Sequence, residues 1–600
     1  MLLGFIDFVK HIDPDIVTAW NLERYDGPYI VNRMRNLRID YSELSPINRV
    51  DMAYDNSEIR TVRGREFIDM IPAFKKIYFS ELESYSLNNV GANLLGKEKV
   101  TFDTSISQLW RDNPQKLIEY NIRDVEIMVD LDEQFRIWDL MKTIQDVVGI
   151  NLSDILHNTR ITQAYFMRKT DRKMPRSTYD EEEGQKYSGG YVLESTPGIS
   201  KNIAVLDIAS QYPSSMISYN MSPEKKVEGP EATDAPTVTV GNGVTFEYDE
   251  IGFVPRILLE LIDLRDEYKK KRDQYDPDDI EYRQHDLTQY ALKVIANSIY
   301  GALGHQTFVL YDKDIASSTT YVGRETVKWA VRQSKELGYE PIYGDTDSIM
   351  ISVGNVDEET GVERAEKLAT HINESYDDYA DQKNIDLSRF DGVDRQHMFE
   401  LEAEKLYSRF FMQRDTKKKY AAKIVWKEGK WVDDYDWAQY GKKSDMAKLS
   451  RDVQRKFLKM VLNETDESEL QEYITDVCNK IKDEEYDLDY IGIPGRIKKE
   501  FHEYKTDRPI LRGAKYTNEY LDEEFGKGSK PKYVYVKRTP PGLPDTDVVA
   551  FSQLDLPDGF IVDYDKMVRK TVQMKLKRII AVIDMEWEEL YRQSASLLDY

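Results

Sequence analysis

Three aspartates in this chain have the type and spacing of ligands for divalent cations. Asp207 opens the run Asp207-Ile-Ala-Ser-Gln-Tyr-Pro-Ser214, and Asp345 and Asp347 lie within Tyr343-Gly-Asp-Thr-Asp-Ser348. Hard divalent cations prefer oxygen ligands. Two such cations held about 3.5–4 Å apart can stabilise the attacking and the leaving oxygen of an in-line displacement at phosphorus. The spacing therefore predicts a two-cation site for nucleotidyl transfer.

Predicted strands would bring these carboxylates together. The apolar run 203–206 predicts a buried strand that ends at Asp207, and 348–352 predicts a second strand after the turn that holds Asp345 and Asp347. Taken alone, Asp-x-Asp beside glycine is more often a solvated turn, and an isolated aspartate can simply end a strand. The ordered occurrence of both motifs around a third one, described next, favours the metal site.

The third motif, Lys293-Val-Ile-Ala-Asn-Ser-Ile-Tyr-Gly301, lies on a predicted helix over 280–302. Helical spacing places Lys293, Asn297 and Tyr300 on one face of that helix. Tyr300 could belong to a functional face of the helix or could simply pack beneath Gly301.

A preceding helix is predicted over 255–272, with Arg265, Lys269 and Arg272 on one face at i, i+4 and i+7. The segment Asp276-Pro-Asp-Asp279 separates the two helices. Together they predict an antiparallel hairpin with a cationic face.

Composition limits the class of protein. A chain of 600 residues with 40% hydrophobic content is long enough for several cores. Its one cysteine, Cys478, excludes a disulfide framework, suits a reducing compartment and is interpreted as a small buried apolar residue. The apolar start Met1–Ile6 is interrupted by Asp7 before it reaches signal-peptide length, and no longer apolar run predicts a membrane span. We expect an intracellular protein without a membrane partner.

The three motifs together resemble those of the family B (alpha-like) DNA polymerases, especially the replicative polymerases of tailed viruses, and the resemblance covers nearly the whole chain. It implies an α/β multidomain fold, in which a partial RNase H-like 3′–5′ exonuclease domain precedes a right-hand polymerase with a palm, helical fingers and a mostly helical thumb. The implied domains are 1–150 for the exonuclease, 151–186 for a connector, 187–251 and 306–441 for the palm, 252–305 for the fingers, and 442–600 for the thumb and C-terminal tail.

The resemblance also implies roles for single residues. Asp207 and Asp347, assisted by Asp345, would hold two Mg²⁺ ions, for which Mn²⁺ could substitute. The residues implied to bind the deoxynucleoside triphosphate are Ser210, Gln211, Tyr212, Arg265, Lys269, Lys293, Asn297 and Tyr300. The ring of Tyr212 would exclude a 2′-hydroxyl; a buried aromatic residue after a strand is its alternative interpretation. Gln211 stands where the family usually has leucine, and we expect it to contribute mainly its backbone.

Two segments resemble those by which the family contacts primer-template DNA. One is Tyr187-Ser-Gly-Gly190, in which Tyr187, Gly189 and Gly190 are the implied contacts; an ordinary turn is equally compatible. The other is Lys417, Lys418, Lys419 and Tyr420, whose side chains can reach phosphates or sugars.

Net charge tests the expectation of DNA binding. The chain carries a net charge of -25, but residues 414–427 and 442–459 are locally basic. Phosphate contacts require such patches, although charged runs are usually solvated helix faces. The acidic remainder could repel misplaced DNA, aid solubility or reflect a salt-rich host. The last residues, 594–600, resemble a tail that binds a sliding clamp, and a frayed helix end is the alternative.

The N-terminal region resembles two of the three exonuclease motifs. Trp20-Asn-Leu-Glu-Arg-Tyr-Asp-Gly-Pro-Tyr29 supplies Asp26, and Tyr120-Asn-Ile-Arg-Asp124 supplies Tyr120 and Asp124. The first motif, Asp-x-Glu, is not found upstream of Asn21, so we expect the chain to begin inside the domain. A fragment of a longer chain, a wrongly assigned start and a polymerase split into two chains, with a separate N-terminal fragment, all fit. We expect little proofreading by this chain alone.

The sequence therefore predicts a template-directed DNA polymerase. A nuclease alone is disfavoured because the exonuclease motifs are the incomplete ones. A non-catalytic scaffold subunit of the replisome is the second alternative, but a scaffold has no chemical need for three ordered carboxylates and the cationic helix.

Overall fold

The computed structural model describes residues 1–54, 59–78, 82, 84–97, 99–100, 106–170, 188–227, 233–414, 416, 418–441, 445–521, 523–552, 556 and 559–591. The strands are β1 Ile16–Ala19, β2 Val50–Met52, β3 Ile59–Val62, β4 Glu66–Asp69, β5 Tyr191–Leu193, β6 Gly198–Ile208, β7 Thr237–Thr239, β8 Thr245–Glu247, β9 Glu340–Thr346, β10 Ser348–Ser352, β11 Leu401–Met412, β12 Tyr420–Lys427, β13 Lys430–Trp437, β14 Ile493–Pro494, β15 Lys532–Arg538, β16 Val548–Phe551 and β17 Ile561–Val562.

The α-helices are α1 Leu2–Ile12, α2 Gly27–Asn36, α3 Met70–Ile77, α4 Leu87–Leu95, α5 Ile106–Asp112, α6 Pro114–Phe135, α7 Ile137–Val148, α8 Asn158–Lys169, α9 Gln211–Ser218, α10 Phe253–Arg272, α11 Ile280–Leu303, α12 Lys313–Glu336, α13 Glu358–Lys383, α14 Lys448–Leu462, α15 Glu467–Lys482, α16 Leu488–Ile491, α17 Pro509–Tyr520, α18 Tyr564–Val568, α19 Met574–Ile580 and α20 Trp587–Leu590. Leu22–Asp26 and Arg569–Gln573 form π-helical turns.

The chain forms two compact units, each built from separate segments. The first contains 1–190, 209–326 and 376–400, and the second contains 191–208, 327–375 and 401–600. Among the described residues, no helix is long and apolar enough to cross a membrane.

The first unit contains a helical hairpin close to the predicted bounds. Helix α10 ends in the basic run Lys269–Arg272, which complements the negative end of the helix dipole. The guanidinium of Arg265 donates to Gln289 Oε1 at 3.2 Å, and that of Arg272 donates to Asp286 Oδ1 at 3.0 Å, so α10 and α11 pack side by side in opposite directions. Arg272, which has no implied ligand, thus ties the hairpin together.

The first unit also contains the N-terminal elements. Strands β1 and β4 pair in parallel, with Ala19 opposite Asp69. Apolar residues from α1, α2 and β3, including Ile6, Val31 and Val62, form a core beside them. Helix α6 begins after Asn113, whose side chain caps the Lys116 N–H.

The second unit is built on a seven-stranded antiparallel sheet in the order β13-β12-β11-β6-β10-β9-β5. Alternate residues of a strand point to opposite faces, so Asp207 continues the row of Ile203 and Val205 on one face of β6. Ile203 and Val205 are buried in the core of that face. Asp207 therefore lies where this apolar row ends.

Residues 445–591 add a four-stranded sheet, formed by β14–β17, to the helices that the sequence predicted. Helices α14 and α15 pack on it through a core that includes Phe457 and Cys478. Cys478 is a fully buried free thiol, as predicted, and burial raises its pKa to about 12.

Candidate active site

The turn between β9 and β10 holds Asp347 against the end of β6. The Asp347 N–H donates to the Asp345 carbonyl at 2.8 Å, and the Ile208 N–H donates to the Asp347 carbonyl at 2.9 Å. Thr346 adopts a φ of +62°, a conformation that a β-branched residue rarely takes. Strained residues of this kind persist where the surrounding structure fixes them, often at functional sites.

Strand register completes the placement of Asp207. It lies opposite Ser348 of β10, and Ser348 lies opposite Asp345 of β9. Burial, followed by the charge of Asp347, raises the pKa of Asp207 to about 8. Burial likewise raises the pKa of Asp347, and the charge of Asp345 adds to the effect. The fold thus crowds negative charge at one end of β6.

Two glutamates of β11 belong to the same acidic region, and the sequence analysis did not identify them. Glu402 lies opposite Asp207 in the sheet. Glu404 raises the pKa of both Asp207 and Asp347. The alternation Glu400-Leu-Glu-Ala-Glu404 was the available signal, because in a strand it places acids on one face.

Asp345 has a different environment. Its Oδ1 lies 2.8 Å from Lys418 Nζ and accepts a hydrogen bond from the Thr346 hydroxyl at 2.9 Å. Among the described residues, no group of three or more His, Cys, Asp or Glu side chains is arranged to hold a metal ion. The structure therefore brings Asp207 and Asp347 together and pairs Asp345 with a lysine.

The donor set at Asp207 and Asp347 fits a divalent cation. Both carboxylates are half-buried, and burial, followed by neighbouring acids, raises the pKa of each in spite of the charges of Lys405 and Lys418. A bound cation would offset their negative charge, and carboxylate oxygens are the ligands that Mg²⁺ takes in proteins.

The residues that follow β6 enter the first unit as α9. Ser210 precedes this helix with a left-handed φ of +47°. The Gln211 side chain is buried and donates to the Gly323 carbonyl at 3.1 Å, so it points into the protein, consistent with the expectation that its backbone matters most. The rings of Tyr212 and Tyr300 lie 4.3 Å apart between centroids.

The face of α11 that was predicted to carry Lys293, Asn297 and Tyr300 is more exposed than the rest of the helix around it. Lys293 and Asn297 are exposed and Tyr300 is half-buried, whereas their neighbours from 291 to 299 are buried. On α10, Arg265 is half-buried, and Lys269 Nζ lies 3.7 Å from Asp266 Oδ1. Lys293 and Asn297 are thus exposed positions of the hairpin, and Arg265 and Lys269 contact residues of α11 and α10, respectively.

The glycine segment implied to contact DNA is clamped to α12. Arg324 donates to the carbonyls of Ser188 and Gly189 at 2.9 and 2.8 Å, and the Thr320 hydroxyl donates to the Ser188 carbonyl at 3.0 Å. A Cβ added at Gly189 would meet no atom within 4 Å. Tyr187 lies outside the described residues.

In the second segment implied to contact DNA, residues 417–420, Lys417 also lies outside the described residues. The Lys419 ammonium lies 4.5 Å from the centroid of the Tyr440 ring. The Tyr420 ring packs 5.2 Å from that of Phe410, and burial raises the pKa of its hydroxyl. Among the three described residues of the segment, Lys418 is the exposed one.

The exonuclease residues do not form one carboxylate cluster within the part of the chain that the structure describes. Asp26 ends a π-helical turn, and burial raises its pKa. Asp69, which the sequence analysis did not identify, is buried next to it and accepts the N–H groups of Glu23 and Ile71. Asp124 is paired with Lys99 at 2.5 Å.

Lys99 also contacts Tyr120, the other candidate residue of the third exonuclease motif. Its ammonium donates to the Tyr120 hydroxyl at 3.1 Å and lies 5.0 Å from the centroid of that ring. One lysine therefore engages both Tyr120 and Asp124.

Comparison with known proteins places the chain in a family. The sequence profile of DNA polymerase family B matches residues 150–583. The chain belongs to DNA polymerase family B. The profile of the family B exonuclease domain matches residues 1–90, so this part of the chain carries exonuclease-domain sequence.

Archaeal family B relatives cover nearly the whole chain. The DNA polymerase of Thermococcus gorgonarius is 28% identical over 99% of this chain and 74% of its own length. DNA polymerase 2 of Aeropyrum pernix is 27% identical over 90% of this chain and 64% of its own length. The chain thus spans about two thirds to three quarters of the length of these relatives.

A solved structure supports the same assignment. The family B DNA polymerase of Pyrobaculum calidifontis matches with a TM-score of 0.72 and 26% identity, over 96% of this chain and 71% of that one. The α/β multidomain fold of a family B polymerase, with exonuclease and polymerase parts, is thereby confirmed.

Proposed function

We propose that this chain is a template-directed DNA polymerase that extends a primer with deoxynucleoside triphosphates. The observation that carries the proposal is the pairing of Asp207 and Asp347 at the end of β6, in a chain of family B. A non-catalytic scaffold gains nothing from two half-buried carboxylates whose charge raises the cost of folding, so the same observation argues against that alternative.

In the proposed reaction, the primer 3′-oxygen forms a bond to the α-phosphorus and releases its proton to solvent. The bond between the α-phosphorus and the bridging oxygen breaks, and pyrophosphate leaves with the bonding electrons. Asp207 and Asp347, with Asp345 assisting, would hold two divalent cations, which would lower the pKa of the attacking hydroxyl and offset the charge of the leaving group.

The chain's own side chains would bind and orient the substrates. Lys293 and Asn297 on α11, together with Arg265 and Lys269 on α10, supply positive charge and donors for the triphosphate, as positioned cations do in phosphoryl transfer. Tyr212 would lie beneath the sugar and exclude a 2′-hydroxyl.

Further parts of the proposal rest on the resemblance. The cofactor would be Mg²⁺, for which Mn²⁺ could substitute, and residues 187–190 and 417–420 would contact the DNA. The chain would be related to the replicative polymerases of tailed viruses and would act inside the cell. Its protein partners would be a sliding clamp, bound by residues 594–600, and a separate N-terminal polymerase fragment. Residues 594–600 lie outside the described part of the chain. The predicted domain bounds belong to the proposal as well.

Primer extension tests the proposed function directly. A labelled primer annealed to a template of known sequence is incubated with the purified chain, Mg²⁺ and one deoxynucleoside triphosphate at a time. The proposal expects extension only with the nucleotide complementary to the template. Absence of extension with all four nucleotides and with Mn²⁺ would contradict it.

A further inference from the structure

Lys418 and Asp345 form an ion pair between two segments. The segment of Asp345 is implied to bind metal ions, and the segment of Lys418 is implied to bind DNA. The Lys418 ammonium lies 2.8 Å from Asp345 Oδ1. Asp345 belongs to the acidic turn, whereas Lys418 belongs to the basic segment between β11 and β12, and both residues lie in the second unit. One lysine therefore stands between the carboxylate site and a segment suited to DNA.

The exposure of the Lys418–Asp345 ion pair allows Lys418 to leave Asp345 for another anion. The Lys418 side chain is 48% exposed and that of Asp345 is 26% exposed. Ion pairs this open to solvent contribute little net stability, because water and salt screen them. Asp345 Oδ1 also accepts the Thr346 hydroxyl, so it keeps a hydrogen bond when the lysine leaves.

A DNA phosphate is a strong competitor for such a lysine. Binding of a cationic side chain to duplex DNA releases condensed counterions, which favours the contact at low salt. Among the described residues 418–420, Lys418 is exposed, whereas Lys419 and Tyr420 are engaged with the protein. It is therefore the side chain of the three that can turn outward.

We propose that Lys418 exchanges between Asp345 in the free protein and a backbone phosphate of the primer-template duplex in the complex. Asp345 then acts as a positioning residue that sets how tightly Lys418 binds DNA. This inference rests on the proposed function, since it requires that the chain bind primer-template DNA.

The exchange predicts a specific pattern of affinities. Lys418→Met lowers the affinity for DNA and reduces the slope of log affinity against log salt by about 0.9, the value of one lost phosphate contact. Asp345→Asn raises the affinity, by about two- to fivefold, because the lysine no longer has to leave a partner. In the Lys418→Met background, the effect of Asp345→Asn largely disappears.

Removal of any negative charge near DNA raises affinity to some degree, so a matched control is needed. Glu402→Gln removes the same charge from the same acidic region, whereas the ion pair of Lys418 is with Asp345. Its effect on DNA affinity should be the same with Lys418 present or replaced. Lys418→Arg keeps the charge and should retain both the affinity and the salt slope.

The measurement is fluorescence anisotropy of a labelled primer-template at several KCl concentrations in EDTA, so that loss of a metal ligand does not enter. Far-UV circular dichroism confirms that each variant is folded. Dependence of the Asp345→Asn effect, but not of the Glu402→Gln effect, on Lys418 supports the exchange. Additive effects of Asp345→Asn and Lys418→Met, or an unchanged salt slope in Lys418→Met, would overturn it. If the parent chain does not bind the duplex at all, the proposed function itself fails.

Discussion

The ring of Tyr212 packs against the ring of Tyr300, with centroids 4.3 Å apart and planes tilted by 44°. Tyr212 lies in the first turn of α9, directly after the strand that carries Asp207, and Tyr300 lies near the end of α11. The contact thus joins an aromatic residue of the motif that begins at Asp207 to one of the motif that begins at Lys293. Aromatic contacts of this kind add stability beyond area burial and hold both rings in place.

This fixed ring gives the first prediction, which concerns sugar discrimination. Tyr212→Ala should raise the ratio of ribonucleotide to deoxynucleotide incorporation by about tenfold or more, because the variant lacks the ring that we propose excludes a 2′-hydroxyl. Tyr212→Phe keeps the ring and should keep the discrimination. Single-nucleotide insertion with matched ribo- and deoxynucleotides measures the ratio. Equal discrimination in the parent and in Tyr212→Ala would show that the ring has no such role.

The clamp at Arg324 gives a prediction about DNA affinity. Arg324→Ala should weaken primer-template binding by about two- to tenfold, because the carbonyls of Ser188 and Gly189 lose the donors that fix the segment. Arg332→Ala removes an exposed arginine from the same helix and serves as the control. The anisotropy assay compares the two. Similar affinities for both variants would mean that the glycine segment does not bind DNA.

The raised pKa of Asp207 predicts how stability depends on pH in the absence of metal. Between the ordinary value of 3.8 and about 8, the folded protein holds a proton on Asp207 that the unfolded chain releases. Stability should therefore fall as pH rises through this window. Asp207→Asn carries no titrating group, so its melting temperature in EDTA should exceed that of the parent by an amount that grows from pH 5 to pH 8.

The same experiment has a clear contrary outcome and a metal control. Melting curves of the parent and of Asp207→Asn that shift in parallel with pH would contradict the charge crowding at this site. Addition of Mg²⁺ at pH 8 should stabilise the parent more than Asp207→Asn, since ligand binding to the folded state raises its stability.

Exonuclease activity is predicted to be low in this chain alone. One lysine, Lys99, engages both Asp124 and Tyr120 of the third exonuclease motif. Degradation of a labelled 3′ end in Mg²⁺ should proceed near the background rate, with no further loss in Asp124→Ala. Rapid metal-dependent degradation that Asp124→Ala abolishes would refute this.

Local patterns were enough to predict the main parts of the site. The apolar run before Asp207 and the period of 3.6 residues around Lys293 and Asn297 each specify an element and the face that it presents. The structure reproduces both: Asp207 closes a buried row on β6, and Lys293 and Asn297 are the exposed positions of a buried helix.

Contacts between distant segments could not be predicted in the same way. The alternation of acids in 400–404 indicates a strand, but that this strand pairs with β6 and brings Glu404 near Asp207 depends on a contact between distant segments. The Arg324 clamp and the partnership of Lys418 with Asp345 depend on how loops meet elements far away in the chain. The sheet β14–β17 was missed because its strands are short and widely separated.

The most direct test of the account is the single-turnover rate of primer extension in the parent and in Asp347→Ala, with Asp433→Ala as a matched control. Asp433 is an exposed acid on β13 of the same unit. The account predicts that Asp347→Ala loses several orders of magnitude of rate while it still binds primer-template DNA, and that Asp433→Ala extends like the parent. Retained extension in Asp347→Ala would contradict the assignment of Asp207 and Asp347 as the metal-binding pair.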